Sequence, residues 1–280
     1  MSLPHSIEEK TLYRDHWSHN AANYQSQGCY EWMTAQLDPL SPKKILDVGC
    51  GVGNGVLALL ERFAPTIVSL EENADCMRTT CEAVNAAGVP VAGLFRLSYK
   101  SHPDGTHDQY TDPRELSISR PVTVIHTDVL FEDLPLESLL KREGPFDAVT
   151  LWLMGAVNRQ TCRALKGLMI DVTGPYRLHV QNAIYLLADR LLRPGGWLHI
   201  VDRGMPLRDE AWKNEIIRGH REQASRTSLE FREIASRSYD EGGGVELKPT
   251  PGTSGRVSVS TSDLEMISVI FQLPENPSAQ

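Results

Sequence analysis

Cysteine is scarce in this sequence, and its few occurrences form no regular framework. Five cysteines are scattered over 280 residues, and no two of them have the spacing of a CxxC pair. A disulfide-stapled scaffold or a structural zinc site needs clustered, regularly spaced cysteines. We therefore expect no disulfides and no metal site, and the pattern favours a reducing compartment.

Long apolar runs and a leader segment are also missing. No stretch approaches the roughly 20 apolar residues that a membrane-spanning helix needs. The N-terminus reads MSLPHSIEEK, without the basic start and apolar run of a signal peptide. We therefore expect a cytoplasmic protein without a membrane partner.

Positive charge is sparse as well. The formal net charge is -8, and the densest basic stretches, Lys141-Arg142 and Arg218 to Arg221, are short and interrupted. A protein that grips a nucleic acid backbone usually carries a basic face. Nucleic acid is therefore disfavoured as a partner.

The regular part of the chain alternates between strand and helix patterns. Its length suits one large α/β domain with an appendage, or two small domains. The predicted strands are 44–48, 66–70, 121–127, 146–152 and 197–201, and the predicted helices are 55–63, 73–87 and 179–192. Such alternation predicts a doubly wound, mostly parallel sheet with helices on both faces.

The remaining segments depart from this alternation. Residues 1–41 carry aromatics at helical spacing, so we expect an N-terminal helical lid ahead of a main domain over 42–280. Two polar or irregular stretches, 93–120 and 153–178, are interpreted as insertions. Residues 208–238 are expected to be helical, and 243–274, with turns at Pro249 to Gly255, to form an antiparallel hairpin on the sheet edge.

The most informative segment is Ile-Leu-Asp-Val-Gly-Cys-Gly-Val-Gly-Asn-Gly at 45–55. A buried strand that enters a helix through glycines lets a ligand approach the backbone and the free N–H groups of the helix. The dinucleotide pattern G-x-G-x-x-G fails in both registers, because its third glycine would fall on Asn54 or Val56. The P-loop pattern is absent too.

What is present is Asp47-x-Gly49-x-Gly51-x-Gly53, which resembles motif I of class I S-adenosylmethionine-dependent methyltransferases. Other features follow in the family's order: an acid that ends the second strand, an acid after the third, and a helix-turn-strand at LLRPGGWLHI. The resemblance covers about 42–203 well and 240–275 loosely. It implies S-adenosyl-L-methionine as the cofactor and S-adenosyl-L-homocysteine as its product.

The resemblance also implies a set of cofactor contacts. The glycines would approach the methionyl part, Glu71 and Glu72 would border the ribose, and Asp128 and Val129 the adenine. Trp152 would open onto the cofactor, and Tyr24, in an A-x-x-Y pattern, would cover it, joined by Tyr13, Arg14 and Trp17; ordinary packing is the alternative for these residues. The complete candidate set is Asp47, Gly49, Cys50, Gly51, Gly53, Glu71, Glu72, Asp128, Val129, Trp152 and Tyr24.

The methyl acceptor is much less readable from the sequence. Trp152-Leu153-Met154-Gly155 stands where adenine and glutamine-amide methylases carry Asn/Asp-Pro-Pro-Tyr. No catalytic residue is assigned; Asp202, at the end of the fifth strand, is a candidate polar group near the substrate, with a capping or salt-bridged role as the alternative. His102, His107 and Asp108 are expected at the amino end of the sheet, away from the cofactor.

The acidic chain favours methyl transfer to O, N or C of a small-molecule metabolite. Two alternatives stay open: methylation of a peptide or protein, and a binding module that holds the cofactor without turnover. The oligomeric state is not indicated by the sequence.

Overall fold

A computed structural model describes residues 5–155, 161–170, 172–207, 209–241 and 264–275, with side chains from residue 10 onward. The helices are α1 (His5–Ser26), α2 (Cys29–Ala35), α3 (Asn54–Phe63), α4 (Ala74–Ala86), α5 (Leu134–Glu143), α6 (Arg163–Gly167), α7 (Thr173–Leu191) and α8 (Glu210–Ala224). The strands are β1 (Lys44–Val48), β2 (Thr66–Glu71), β3 (Val91–Phe95), β4 (Leu97–Ser101), β5 (His107–Thr111), β6 (Val122–His126), β7 (Phe146–Trp152), β8 (Leu192–Gly204), β9 (Glu230–Tyr239) and β10 (Leu264–Gln272).

Eight of these strands form one sheet in the order β3-β6-β2-β1-β7-β8-β10-β9. The first six are mutually parallel, and β10 runs antiparallel to both β8 and β9. From β1 the chain first builds β2, β3 and β6 on one side and then β7 and β8 on the other, so the strand order reverses at β1. This confirms the predicted doubly wound sheet with a C-terminal antiparallel pair, although the first strand of that pair lies ahead of 243–274, where the hairpin was predicted.

Apolar side chains cover both faces of the sheet. One cluster joins the strands to α5, α7 and α8, and the other joins them to α1, α2, α3 and α4. The predicted strand and helix boundaries agree closely through α4, which Asn73 caps by accepting hydrogen bonds from the backbone N–H groups of Asp75 and Cys76. Burial on both faces explains why the parallel strands read as continuous apolar runs.

The first predicted insertion, 93–120, is more regular than expected. Its start belongs to β3, which pairs parallel to β6 at the edge of the sheet, and β4 and β5 then form a two-stranded hairpin. Because β3 runs parallel to its neighbours, the hairpin emerges at the carboxyl edge. The prediction that His102, His107 and Asp108 arrive at the amino end was therefore wrong: Tyr99 of the hairpin lies 3.2 Å from His126 at the end of β6.

The second predicted insertion, 153–178, contains α6 and the start of α7. Helix α7 begins six residues before the expected position, since Pro175 is tolerated in a first turn. The prediction of a helix over 208–238 holds for α8 only. Residues 230–239 form β9, because pairing along β10 satisfies the backbone there.

Two further predictions concern the turns near the C-terminus and membrane-spanning helices. The turns predicted at Pro249 to Gly255 lie outside them. Over the described ranges, no helix combines the length and apolarity that crossing a bilayer requires. Residues 5–35 are mostly helical, as predicted, while their role as a lid stays a prediction.

Candidate functional site

A cleft opens at the carboxyl ends of the central strands, where the strand order reverses. It contains about 580 Å³ of empty space, part of it open to solvent. Open α/β sheets bind ligands at this position. The cleft is lined by Tyr13, Trp17, Val48, Gly49, Gly51, Leu70, Glu71, Glu72, Thr127, Asp128, Val129, Leu151, Leu153, Met154, Gly155, Tyr176 and Val180.

The glycine turn forms the floor of the cleft. Gly49, Gly51 and Gly53 all have φ between 56° and 98°, a conformation that side chains with a Cβ rarely adopt. Gly51 donates its backbone N–H to the carboxylate of Glu71 over 2.9 Å. The turn and the acid at the end of β2 are thus directly joined.

Glu71 is a buried acid held by backbone N–H groups. One carboxylate oxygen accepts from Gly51 and the other from the backbone N–H of Asn73, also at 2.9 Å. Burial raises the pKa of Glu71 to about 7, and the neighbouring Glu72 carboxylate adds to the rise, while the two backbone hydrogen bonds oppose it. A carboxylate held this way has lone pairs left for donors in the cleft.

Glu72 belongs to the same wall but is neutralised from α1. The Lys10 ammonium lies 2.6 Å from a carboxylate oxygen of Glu72 and 3.1 Å from its backbone oxygen. The same ammonium lies 3.5 Å from the hydroxyl of Tyr99. This ion pair fastens α1 to the end of β2 and to the β4–β5 hairpin.

Asp128 closes the opposite end of the wall. One of its carboxylate oxygens accepts the backbone N–H of Leu130 at 2.9 Å, and the other accepts the hydroxyl of Tyr176 at 3.1 Å. Burial raises the pKa of Asp128 to about 6, helped by the charge of Glu72 and opposed by these two hydrogen bonds. Asp128, the acid predicted to follow the third strand, which is β6, therefore does line the cleft, next to Val129.

Helix α1 covers the cleft with two aromatic side chains one turn apart. Trp17 lies so close to Gly51 that a Cβ there would fall 2.2 Å from the indole nitrogen. A Cβ on Gly155 would likewise fall 2.0 Å from the hydroxyl oxygen of Tyr13. A Cβ at either position would therefore displace the ring that covers the cleft.

Tyr24 does not line the cleft, although the resemblance implied that it covers the cofactor. It lies two helical turns beyond Trp17, about 10 Å farther along α1. Its hydroxyl donates to Glu241 and accepts from Arg203, each over 3.0 Å. It secures the end of α1 instead, and Tyr13 and Trp17 take the covering position.

Trp152 and Asp47 also face away from the cleft, because side chains alternate along a strand. Leu151 and Leu153 line the cleft, whereas the indole of Trp152 points to the other face and donates to His199 over 3.1 Å. Asp47 accepts the hydroxyls of Ser69 and Thr150, each at 2.8 Å. These hydroxyls belong to the two strands beside β1, so Asp47 ties the three strands together below the turn.

The remaining candidates support the site rather than line it. The thiol of Cys50 is buried, 3.4 Å from the hydroxyl of Thr80, and Gly53 packs against the backbone of that residue. Asp202 forms an ion pair with Arg177, and one guanidinium nitrogen lies 2.6 Å from both carboxylate oxygens. The salt-bridged alternative for Asp202 is thus the one observed.

Tyr176 was missed as a lining residue because α7 begins earlier than predicted, whereas Val180 lay inside the predicted helix and was assigned only to its apolar face. Tyr176 and Val180 are one turn apart, and Ile184 follows at the same spacing, so the apolar face could have been traced back from the predicted helix. The hydroxyl of Thr127 was missed as well. It is buried in the wall of the cleft between Glu71 and Asp128, without a hydrogen-bond partner among the described residues.

Comparison with known proteins gives structural likeness only. No family model and no curated protein sequence matches the chain. A protein from Galdieria sulphuraria, provisionally assigned as a sarcosine dimethylglycine methyltransferase, shares 13% identity over 96% of this chain and 99% of its own, with a TM-score of 0.48. The [4+2]-cyclase SpnF shares 14% over 89% and 83%, with a TM-score of 0.49.

The N-methyltransferase NodS from Bradyrhizobium japonicum WM9, in complex with S-adenosyl-L-homocysteine, shares 13% identity over 88% and 87% of the two chains, with a TM-score of 0.42. At such identities these likenesses concern architecture alone. The fold is assigned from the strand order, the strand directions and the glycine turn after β1 of this chain itself. The doubly wound, mostly parallel sheet with its C-terminal antiparallel pair, observed directly, is the architecture that the resemblance of the glycine turn implied.

Proposed function

We propose that this protein binds S-adenosyl-L-methionine in the cleft and transfers its methyl group to O, N or C of a small molecule. The observation that carries the proposal is the hydrogen bond between the N–H of Gly51 and Glu71. It places a buried carboxylate beside a turn that a ligand can approach closely. That combination suits a nucleoside whose ribose hydroxyls are donors.

The other walls fit the remaining parts of this cofactor. Gly49 and Gly51 would accommodate the methionyl part, and Asp128 and Val129 would border the adenine. The hydroxyl of Thr127, buried without a partner among the described residues, gains one from a nucleoside bound along this wall. The residues present therefore fit the group.

The sulfonium of the cofactor supplies an electrophilic methyl group, so the protein needs to orient an acceptor and exclude water. Tyr13 and Trp17 cover the cleft from α1, and Leu153 and Met154 line it at the end of β7. This part of the lining is uncharged and partly aromatic, unlike the part formed by Glu71, Glu72 and Asp128, and it suits a small molecule. The protonated hydroxyl of Tyr13, whose pKa is raised by burial and by Glu71, is a donor rather than a base.

Calorimetric titration with S-adenosyl-L-methionine and S-adenosyl-L-homocysteine tests the proposal. Both should bind to the wild type, and Glu71→Ala should weaken binding about 10- to 100-fold, because a charge-assisted hydrogen-bond partner is lost. Glu61→Ala, an exposed position on α3, is the matched control and should bind normally. A folded wild type that binds neither ligand would contradict the proposal.

Turnover needs a separate measurement. Methyl transfer forms S-adenosyl-L-homocysteine, from which an added hydrolase releases homocysteine. Across a panel of metabolites, this homocysteine should rise above background for at least one acceptor. Strong cofactor binding with no turnover on metabolites, peptides or proteins would indicate a binding module instead.

A further inference from the structure

Tyr176 makes a buried hydrogen bond to an acid that lines the cleft. It lies in the first turn of α7, is 2% exposed, and donates its hydroxyl to Asp128 over 3.1 Å. Val180, one turn later, lines the same cleft. Helix α7 thus places a hydrogen-bond donor against Asp128, one of the acids that line the cleft.

The contact fixes the orientation of the Asp128 carboxylate. Leu130 N–H binds one oxygen and the Tyr176 hydroxyl binds the other, so the carboxylate plane is held at two points. Each carboxylate oxygen has two lone pairs, so one on each oxygen stays available for another donor. Burial keeps the Tyr176 hydroxyl protonated and therefore a donor.

On the basis of the proposed function, we infer that Tyr176 is a positioning residue that orients Asp128 toward the exocyclic amine of adenine and so sets nucleobase specificity. An amine is a donor and matches the lone pairs of an ionised carboxylate. A keto oxygen at the same place is an acceptor and makes no such bond. The pair should therefore distinguish adenine from its deaminated counterpart, hypoxanthine.

Thr127 supports the view that this wall contacts a ligand. Its side chain is 2% exposed, and its hydroxyl has no hydrogen-bond partner among the described residues. A buried hydroxyl without a partner costs folding free energy, so its presence in a cleft is explained when a ligand satisfies it. It directly precedes Asp128, and both residues line the cleft.

The test compares two ligands and two matched variants by calorimetry. The ligands are S-adenosyl-L-homocysteine and S-inosyl-L-homocysteine, which differ by the amine or keto group of the base. The variants are Tyr176→Phe and Tyr185→Phe, both on α7, both buried and each losing one hydroxyl. Tyr185 hydrogen-bonds His220 over 2.7 Å and is not among the lining residues of the cleft, so its variant controls for the stability of α7.

We expect Tyr176→Phe to weaken S-adenosyl-L-homocysteine binding about three- to tenfold, because a less firmly oriented Asp128 carboxylate makes a weaker hydrogen bond to the amine. Binding of the inosyl compound should be unchanged by Tyr176→Phe, and Tyr185→Phe should affect neither ligand. Equal losses for both ligands, or no loss for either, would overturn the positioning role while leaving the proposed function intact. If the wild type bound neither compound, the proposed function itself would fail.

Discussion

At the scale of single residues, the site gathers negative charge that a stable core would avoid. Glu71, Glu72 and Asp128 all line one cleft, and only Glu72 has a lysine within salt-bridge distance among the described residues. Burial of an unpaired carboxylate costs free energy, and this cost appears as a raised pKa. Such a cost is typical where a binding site trades stability for function.

The raised pKa of Glu71 predicts a pH-dependent stability of the unliganded protein. Its ordinary value is 4.5 and its folded value about 7, so between these pH values the folded state keeps a proton that the unfolded state releases. Stability should therefore fall as pH rises through this window, by roughly 2–3 kcal/mol from this residue. Denaturant unfolding of the wild type and Glu71→Gln at pH 5 and pH 8 measures the effect.

The useful quantity is the difference in unfolding free energy between the two proteins, because contributions from Asp128 and other groups cancel. From pH 5 to pH 8, Glu71→Gln should gain stability relative to the wild type. A difference that stays constant over the window would mean that the Glu71 carboxyl titrates normally. Nucleoside affinity of the wild type should change the opposite way and increase with pH, since the ionised carboxylate is the better acceptor.

At the scale of elements, the β4–β5 hairpin is held by one fully buried guanidinium. Arg96, between β3 and β4, forms an ion pair with Asp133, which also caps α5, and it donates to the backbone oxygens of Asp112 and Arg114. Both ends of the hairpin segment are thereby tied to the start of α5. This explains how a polar stretch acquires a fixed place beside the cleft.

Replacing Arg96 by Ala should destabilise the protein by about 3–5 kcal/mol, because the Asp133 carboxylate is left buried without its counter-ion. Arg114→Ala is the matched control. Its side chain is 82% exposed and pairs with Asp112 at the surface, so its removal should cost within about 0.5 kcal/mol. Chemical denaturation of both variants measures this, and similar losses in the two would show that the buried pair contributes no more than a surface pair.

At the scale of the whole molecule, the cleft is the meeting point of both helical layers. Tyr13 and Trp17 approach it from the layer of α1 to α4, and Tyr176 and Val180 from the layer of α5, α7 and α8. The ends of β1, β2, β6 and β7 form its floor. A ligand that contacts all of these elements links parts of the chain that are otherwise joined through the sheet.

S-adenosyl-L-homocysteine should therefore stabilise the entire fold. At a concentration 100 times the dissociation constant, linkage predicts about 2.7 kcal/mol of added stability. For a protein of this length that corresponds to roughly 5–10 °C in Tm. Differential scanning calorimetry measures the shift, which should become smaller in Glu71→Ala at the same ligand concentration. An unchanged Tm at saturating ligand would show that the folded state gains nothing from binding.

Local features of the sequence determined most of the architecture. The apolar runs of β1, β2, β6 and β7 and the glycine turn after β1 act through neighbouring residues, so their place in the chain was readable. The same is true of Glu71 and Asp128, which directly end or follow strands. Alternation of strand and helix then constrains the sheet to be parallel, because crossover connections have one hand.

What only the tertiary structure decided depends on direction and on distant pairing. The hairpin lies at the carboxyl edge because β3 joins the sheet in parallel, and nothing within 93–120 indicates that pairing. Trp152 faces the core because its strand presents Leu151 and Leu153 to the cleft, and Tyr24 misses the cleft because α1 is a single long helix. Tyr176 meets Asp128 across 48 residues of sequence. Contacts of this range follow from the packing of whole elements, which local periodicity does not encode.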